Sequence, residues 1–116
     1  TDAYLNMGFL MLQQKQADKA IENYKKAIEL NPKHTQAYYD IGIAFQMKGD
    51  FGQAIDYYRK AAAIRPDEPQ IHINLGNCLE LQGRIDDALK EYKQALALGP
   101  TAPDVRKAVE RLEGKK

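Results

Sequence analysis

Apolar residues along this chain follow helical spacing in several stretches, which are separated by short polar turns. Within residues 18–30 they recur at intervals i, i+3, i+4, i+7 and i+8, the pattern of a helix with one buried face. The apolar positions of this stretch are Ala20, Ile21, Tyr24, Ala27 and Ile28. The same spacing returns at residues 54–62 and 88–96, so the pattern predicts three related amphipathic helices.

Whole columns of residues also repeat along the chain, at a fixed interval of 34 positions. The repeated columns are Gly8, Gly42 and Gly76; Tyr24, Tyr58 and Tyr92; Ala20, Ala54 and Ala88; Ala27, Ala61 and Ala95; Pro32, Pro66 and Pro100; Met7, Ile41 and Leu75; Met11, Phe45 and Leu79; and Tyr4, Tyr38 and His72. Such an interval indicates one supersecondary unit copied in tandem, because a single copy cannot bury its apolar face alone. The glycine column predicts that two helices approach closely within each unit, since a side chain there would hold them apart.

Each unit is predicted to form two antiparallel helices, called A and B. The A helices are predicted at residues 2–14, 36–48 and 70–82, and the B helices at residues 18–30, 52–64 and 86–98. A proline follows each helix B, and these prolines are Pro32, Pro66 and Pro100. Proline is predicted to end these helices because it lacks an N–H donor and disfavours helix at the residue before it.

The turns between helices A and B carry their own signals. Gly49 and Gly83 follow two of the A helices, where a left-handed C-cap favours glycine. Asp50 then offers an N-cap oxygen, and Gln53 follows three residues later as its capping-box partner. Lys15 replaces the glycine in the first unit, so the turn there is predicted to be strained or differently shaped.

These columns resemble the tetratricopeptide repeat, whose 34-residue pattern contains an aromatic residue, Leu-Gly, Tyr, Ala, Phe and Pro. The three copies begin Y-x-x-M-G-x-x-M, Y-x-x-I-G-x-x-F and H-x-x-L-G-x-x-L, and each continues with A-x-x-x-Y and a proline. The resemblance implies an all-α fold, a right-handed superhelical α-solenoid of three helix-turn-helix hairpins plus a capping helix. The implied repeats span residues 1–34, 35–68 and 69–102, with a capping segment at 103–116, all in one domain. His72 is the main departure, because an aromatic residue is usual at its position.

The last segment predicts one further helix, over residues 103–113, with Pro103 in its first turn. A narrow apolar stripe runs along it, made of Val105, Ala108, Val109 and Leu112. Glu110 occupies the slot where a fourth repeat would place glycine. We therefore expect this helix to be a solvating cap over the third repeat, as the ends of repeat arrays require.

Composition limits the partners of the chain. Lys plus Arg is 17 and Asp plus Glu is 16, so no strong overall charge favours nucleic acid or an anionic membrane. No apolar run approaches the roughly 18 residues that span a bilayer, and no secretory signal is visible. We therefore expect neither a nucleic-acid partner nor membrane insertion, with the cytoplasm as the default compartment. Because Thr1 already falls within the first repeat, we expect it to mark a fragment boundary.

Residues that could carry catalysis or bind a metal are isolated along the chain. His34 and His72 have no His-x-x-x-His or Cys-x-x-Cys partner, so metal binding is not expected. Cys78 shares its column with Leu10 and Ala44, which favours a buried packing thiol over a nucleophile. The sequence also has no glycine-rich phosphate loop and no nucleophile–base pair, so we expect neither an enzyme nor a cofactor.

The resemblance implies that the A helices line a concave groove, which holds an extended or helical peptide. Six positions of each repeat point into this groove; they are Asp2, Leu5, Asn6, Phe9, Leu12 and Gln13, then Gln36, Tyr39, Asp40, Ile43, Gln46 and Met47, then Gln70, Ile73, Asn74, Asn77, Glu80 and Leu81. From these we predict as peptide-binding residues Leu5, Asn6, Phe9, Leu12, Tyr39, Asp40, Ile43, Met47, Ile73, Asn74 and Asn77.

Seven of the predicted residues are apolar and would form a contiguous exposed patch, which usually marks an interface. They are Leu5, Phe9, Leu12, Tyr39, Ile43, Met47 and Ile73. The alternative is that some of them only pack between repeats, above all in the first repeat. Asn6, Asp40 and Asn74 share one column and could hydrogen-bond a peptide backbone, although Asn at this slot also belongs to the general family pattern.

The A helices are poor in positive charge. Asp2, Asp40 and Glu80 are acidic. Lys48 is the only cation on these helices. Family members that hold a C-terminal carboxylate use Lys, Arg and Asn at five positions, which here are Leu5, Phe9, Asp40, Gln70 and Asn74. Because none of these residues is a cation, we do not expect chaperone tails held by a carboxylate clamp as ligands.

The first hypothesis is a non-catalytic scaffold that binds an apolar, neutral-to-basic peptide of another protein in this groove, with an affinity on the order of micromolar. A second hypothesis is self-assembly into a dimer or filament through the uncapped first repeat. A third is an idealised repeat module without a natural ligand, against which Lys15, Gly52 and His72 argue as irregularities. An accessory domain of a longer enzyme also stays open.

Overall fold

The computed structural model describes residues 2–99 and 103–114, without the side chains of Asp2 and Pro103. This part of the chain contains seven α-helices and no strand; they are α1 (Asp2–Gln13), α2 (Ala17–Leu30), α3 (Thr35–Met47), α4 (Phe51–Ile64), α5 (Pro69–Leu81), α6 (Ile85–Ala97) and α7 (Pro103–Glu113). The observed bounds lie within one residue of those predicted for all six repeat helices. Three predicted features lie outside the described residues: the boundary at Thr1, the helix-ending role of Pro100 and the end of the cap at Lys115 and Lys116.

Each helix packs mainly on the helices before and after it in the chain. Helices α1 and α2, α3 and α4, and α5 and α6 form three hairpins, while α2–α3, α4–α5 and α6–α7 contacts join them. The molecule is elongated, with principal dimensions of 44, 25 and 21 Å. This is an all-α solenoid, in which a linear stack of hairpins shares one continuous core. None of the described helices is long and apolar enough to cross a membrane.

The glycine column sets how closely the two helices of each hairpin approach. A Cβ atom added at Gly42 would lie 2.5 Å from Cε1 of Tyr58, and one at Gly8 would lie 2.5 Å from the same atom of Tyr24. The rings of Tyr24 and Tyr58 are fully buried. The predicted close approach is therefore confirmed, because each tyrosine ring occupies the space that a side chain on the facing helix would need.

The turns between the helices have the predicted geometry. Gly49 and Gly83 have φ angles of 80° and 77°, which places both in the left-handed region. The Asp50 carboxylate accepts hydrogen bonds from the Gln53 backbone N–H at 3.3 Å and from its side-chain amide at 3.1 Å. The N-cap is therefore as predicted, whereas the Asp50 N–H donates to the Phe45 carbonyl at 2.9 Å and not to the Gln53 side chain of a capping box. Lys15, with φ of 60°, adopts the left-handed conformation that glycine takes in the other two repeats. The turn shape is thus kept in the first repeat and the strain falls on Lys15.

Replacing Lys15 with glycine is expected to raise the free energy of unfolding by about 1 kcal/mol, because glycine lacks the Cβ clash of the left-handed region. Urea denaturation would measure the change. Gln14→Gly is the matched control, since Gln14 has no positive φ and glycine there would only add flexibility. Equal stability of Lys15→Gly and the parent protein would contradict the expected strain.

His72 takes over one hydrogen bond of the aromatic residue it replaces. In the second repeat, the hydroxyl of Tyr38 donates to the backbone carbonyl of Pro32 at 3.0 Å. In the third repeat, Nε2 of His72 lies 2.9 Å from the carbonyl of Pro66, and Nδ1 lies 2.8 Å from Glu91 Oε1. Histidine therefore preserves the link between a helix A and the turn before it, and both ring nitrogens are engaged within the protein.

Helix α7 covers the end of the stack, as predicted for a capping helix. Val105, Val109 and Leu112 are buried against the body of the protein, and Lys93 on α6 pairs with Glu113 at 3.5 Å. The opposite end differs, because Met7 and Leu10 on α1 are each 44% exposed, although they occupy the same repeat positions as Val109 and Leu112. Over the described residues, the core is closed at α7 and open along α1.

Candidate functional site

The predicted groove residues lie on α1, α3 and α5, but their exposure is uneven. Phe9 is 57% exposed and Met47 is 50% exposed, and Asn6 and Asn77 also face solvent. The other apolar members are half-buried and pack against the core; they are Leu5, Leu12, Tyr39, Ile43 and Ile73. The exposed apolar surface is therefore centred on Phe9 and Met47, and packing within the stack accounts for much of the rest.

Two shallow cavities lie along the edge between α3 and α5. One, of about 410 Å³, is lined by Ile43, Gln46, Met47 and Asn74. The other, of about 560 Å³, lies toward the start of the two helices and is lined by Gln36, Tyr39 and Gln70 together with residues of the preceding turns. Four of the predicted residues, namely Tyr39, Ile43, Met47 and Asn74, therefore border concave surface.

A hydrogen-bond network joins the second and third repeats inside the groove. The side-chain amide of Asn74 donates to the Tyr39 hydroxyl at 2.9 Å and approaches the Tyr58 hydroxyl at 3.4 Å. Gln70 donates to the Asn74 carbonyl oxygen at 2.8 Å. The Tyr58 hydroxyl in turn donates to Gln46 Oε1 at 2.8 Å. The side-chain amide of Asn74 is therefore already used in hydrogen bonds within the protein, and one of its partners, Tyr58, is a core residue.

The third repeat ends in a second polar cluster. The Tyr92 hydroxyl lies 2.6 Å from Asn77 Oδ1 and 3.1 Å from Glu80 Oε1. The Arg111 guanidinium on α7 binds the Glu80 carboxylate through both of its terminal nitrogens, at 2.6 and 3.1 Å. Arg111 thus offsets one of the acidic charges predicted for the groove. The sequence does contain a signal for this role, because Arg111 follows Phe9, Ile43 and Asn77 at the 34-residue interval.

The first repeat lacks such a cluster. The Tyr24 hydroxyl is buried and has no hydrogen-bond partner among the described residues. The reason is visible in the repeat columns, because the position of Gln46 and Glu80 is Leu12 in this repeat, and that of Asn77 is Phe9. The groove is therefore apolar in its first part and hydrogen-bonded in its last part.

Asp40, on the adjacent helix α3, occupies the same repeat position as Asn6 and Asn74. Its Oδ1 accepts a hydrogen bond from the Gln36 amide at 2.9 Å. Burial raises the pKa of Asp40 to about 6, while the Gln36 hydrogen bond and the charge of His34 oppose that rise. No cation among the described residues pairs with it, and Lys48 binds Asp18 on α2 instead. Asp40 is therefore a half-buried carboxylate without a counter-ion in the described structure.

The other residues with reactive side chains have structural roles. Cys78 is fully buried, and burial raises its pKa to about 11, so its thiol stays protonated at neutral pH. His34 caps α3, with its Nδ1 accepting from the Ala37 N–H at 3.4 Å. Within residues 2–99 and 103–114, no group of three or more His, Cys, Asp or Glu side chains could hold a metal ion.

Comparison with known proteins identifies the family of the repeats. A sequence model described as tetratricopeptide repeat matches residues 1–67, and a second with the same description matches residues 45–112. A search of curated protein sequences gives no significant match. Among solved structures, the chain is similar to the Arabidopsis OM64 TPR domain, at 27% identity and a TM-score of 0.88 over 96% of this chain and 92% of that one.

Two further structures share the fold at lower identity. One is the Yersinia enterocolitica type III secretion chaperone SycD in complex with a peptide of the translocator YopD, with 19% identity, a TM-score of 0.91 and coverage of 98% and 92%. The other is the first TPR of Spaghetti (RPAP3), bound to the HSP90 peptide SRMEEVD, with 18% identity, a TM-score of 0.91 and coverage of 97% and 90%.

Proposed function

Because the chain belongs to the tetratricopeptide repeat family, we propose that it is a non-catalytic scaffold that binds an apolar, neutral-to-basic peptide of another protein in the groove of its A helices. The observation that carries this proposal is the combination of exposed Phe9 and Met47 with the cavity beside Ile43. Exposed large apolar side chains at a concave surface favour a ligand that buries them.

The peptides held by the two neighbours of the same fold support a peptide as the partner. The character of the groove favours a ligand that is not acidic. Asp40 has no counter-ion among the described residues, and Arg111 is already paired with Glu80. An acidic peptide tail would therefore meet a carboxylate at Asp40. Lys33, a cation that lines the cavity beside Tyr39, lies in the turn before α3 and not on an A helix. This arrangement argues against a carboxylate clamp formed by the A helices.

Ile43→Glu is expected to weaken binding at least about tenfold, because it places a charge in the apolar cavity where the ligand would lie. The affinities can be measured by isothermal titration calorimetry with peptides selected from a randomised library on the parent protein. Ile64→Glu is the matched control, since Ile64 is also half-buried but lies at the end of α4. Circular dichroism would confirm that both variants keep their helices, and equal binding by both would place the site elsewhere.

Self-assembly is the second candidate function, and the exposed face of α1 favours it. Met7 and Leu10 are exposed at positions that are buried in every other helix of their type, where the preceding helix covers them. A second copy of the chain could supply that cover. Light scattering over a concentration series separates the two candidates, since a strict monomer removes this one and leaves peptide binding in place.

A further inference from the structure

The junction between the first and second repeats differs from the next junction at two repeat positions. At the later junction, Asn74 spans the gap and hydrogen-bonds Tyr39 and Tyr58 of the preceding repeat. Asp40 occupies the same position one repeat earlier. Leu5 stands there in place of Tyr39, so the earlier junction offers no lateral hydroxyl for Asp40 to bind.

The hydrogen-bonding capacity of Asp40 is therefore mostly unused. A carboxylate can accept about four hydrogen bonds, and among the described groups only Gln36 donates one. The charged and titratable groups whose fields couple to it lie on or next to three helices. They are His34 at the start of its own helix, Tyr39 one residue before it, Tyr24 on α2 and Tyr58 on α4. A half-buried carboxylate without a cation is costly, unless a ligand supplies the missing partner.

A second, independent observation concerns the Tyr24 hydroxyl. Tyr24 is fully buried, and its hydroxyl is the buried side-chain group of the described chain that lacks a hydrogen-bond partner. It occupies the repeat position of the Tyr58 hydroxyl, which Asn74 approaches at 3.4 Å. Since Asn74 approaches the Tyr58 hydroxyl, the repeat geometry places Asp40 on the side of the Tyr24 hydroxyl. In agreement with this placement, burial raises the pKa of Tyr24 and the charge of Asp40 raises it further.

We propose that Asp40, backed by the Tyr24 hydroxyl, forms a subsite for the ammonium group of a lysine in the bound peptide. An ammonium group has three donors and no acceptor, which matches a carboxylate with free lone pairs. The four-carbon stem of lysine can lie on apolar surface such as Phe9 and Ile43 while its charge reaches Asp40. Gln36 already occupies one carboxylate oxygen, which disfavours the two-pronged contact that arginine prefers.

This subsite rests on the proposed function, because it describes one position of the peptide that the groove would hold. The ionised form of Asp40 is also expected to destabilise the folded state of the ligand-free protein. A raised carboxylate pKa means that the folded state holds the proton more tightly than the unfolded state, so stability is lost as pH rises through the folded pKa. Asp40→Asn is therefore expected to be at least as stable as the parent protein at pH 7, which makes it a usable test variant.

The test pairs one substitution in the protein with one in the peptide. A randomised dodecapeptide library is selected on the parent protein, and the tightest peptide is synthesised with its lysine and with norleucine in place of that lysine. The lysine form is expected to bind the parent protein about tenfold more tightly than the norleucine form. Asp40→Asn should abolish this difference, while Asp56→Asn, which removes an equal charge from the exposed face of α4, should retain it.

The outcomes separate this subsite from the groove as a whole. Selected peptides that lack an enriched lysine, but still lose affinity on Ile43→Glu, would overturn the subsite and leave the proposed function standing. A lysine preference that survives Asp40→Asn would also overturn it. An Asp40-dependent preference for arginine would contradict the assigned chemistry. Selection of no peptide that depends on Ile43 would overturn both proposals.

Discussion

Replacing Gly42 with alanine is expected to lower the free energy of unfolding by about 2 kcal/mol, because the new methyl group meets a buried ring. Its Cβ would lie 2.5 Å from Cε1 and 2.6 Å from Cδ1 of Tyr58. The ring has no room to retreat, since Tyr58 is fully buried and its hydroxyl is held by Gln46. The strain of roughly 3 kcal/mol is partly offset by the roughly 1 kcal/mol that alanine gains over glycine in a helix.

Gly52→Ala provides the matched control in the neighbouring helix. Gly52 lies in the first turn of α4, and a Cβ there would find no atom closer than 3.8 Å. The same substitution should therefore be neutral or stabilise by a few tenths of a kcal/mol, through helix propensity alone. Urea denaturation of the two variants measures the contrast. If Gly42→Ala were as stable as Gly52→Ala, the packing of the tyrosine ring against the glycine column would be wrong.

Removing the hydroxyl groups of Tyr24 and Tyr58 should have opposite effects. Tyr58→Phe is expected to cost about 1 kcal/mol, because Gln46 and Asn74 lose a hydrogen-bond partner inside the groove. Tyr24→Phe is expected to stabilise by about 1 kcal/mol, because it removes a buried hydroxyl that no described residue satisfies. The two variants should therefore differ by about 2 kcal/mol.

Each of these two variants serves as the control for the other. Both tyrosines occupy the same column, both rings are fully buried and both contact a glycine of the facing helix, so the shape of the change is matched. Thermal and urea denaturation would report the difference. Destabilisation by Tyr24→Phe equal to that of Tyr58→Phe would show that the Tyr24 hydroxyl has a partner, and it would weaken the subsite proposed at Asp40.

The two junctions between repeats offer a ligand different hydrogen-bonding groups. The later junction uses its polar groups to hold two repeats together, so a ligand there would compete with hydrogen bonds of the protein. The earlier junction has a carboxylate, Asp40, that accepts one hydrogen bond from Gln36 and has no cation partner among the described residues, so a ligand could bind its remaining lone pairs without replacing a hydrogen bond of the protein. We therefore expect substitutions at Asp40 and Phe9 to change peptide selection more than equally conservative substitutions at Asn74.

The sequence predicted the helices and their turns because both depend on local chemistry. Glycine in the left-handed region at residues 49 and 83, the Asp50 cap and the tyrosine–glycine contacts need only neighbouring residues or one facing helix. The 34-residue interval repeated these signals three times, which fixed the register. Even the turn at Lys15 was open to prediction, since the two other repeats showed which backbone conformation its position requires.

The exposure and the hydrogen-bond partners of the groove side chains could not be predicted from the repeat pattern. Repeat position alone assigns Phe9 and Ile43 equal roles, yet the structure leaves Phe9 exposed and half-buries Ile43. It also could not show that Asn74 is bound by two tyrosines, or that Tyr24 lacks the partner that Tyr58 has. These differences arise between repeats, where one changed residue removes a hydrogen bond from a residue 16 or 35 positions away.

The amino-acid sequence by itself determined that this protein is a capped stack of helical hairpins. Helix periodicity, glycine spacing and turn chemistry are properties of short segments, so they can be read from one chain. Only the tertiary structure decided which polar groups of the groove are paired, that Arg111 reaches Glu80, and that Asp40 keeps free acceptor capacity. The physical reason is that hydrogen bonding and burial depend on the distances between helices, which periodicity along the chain does not specify.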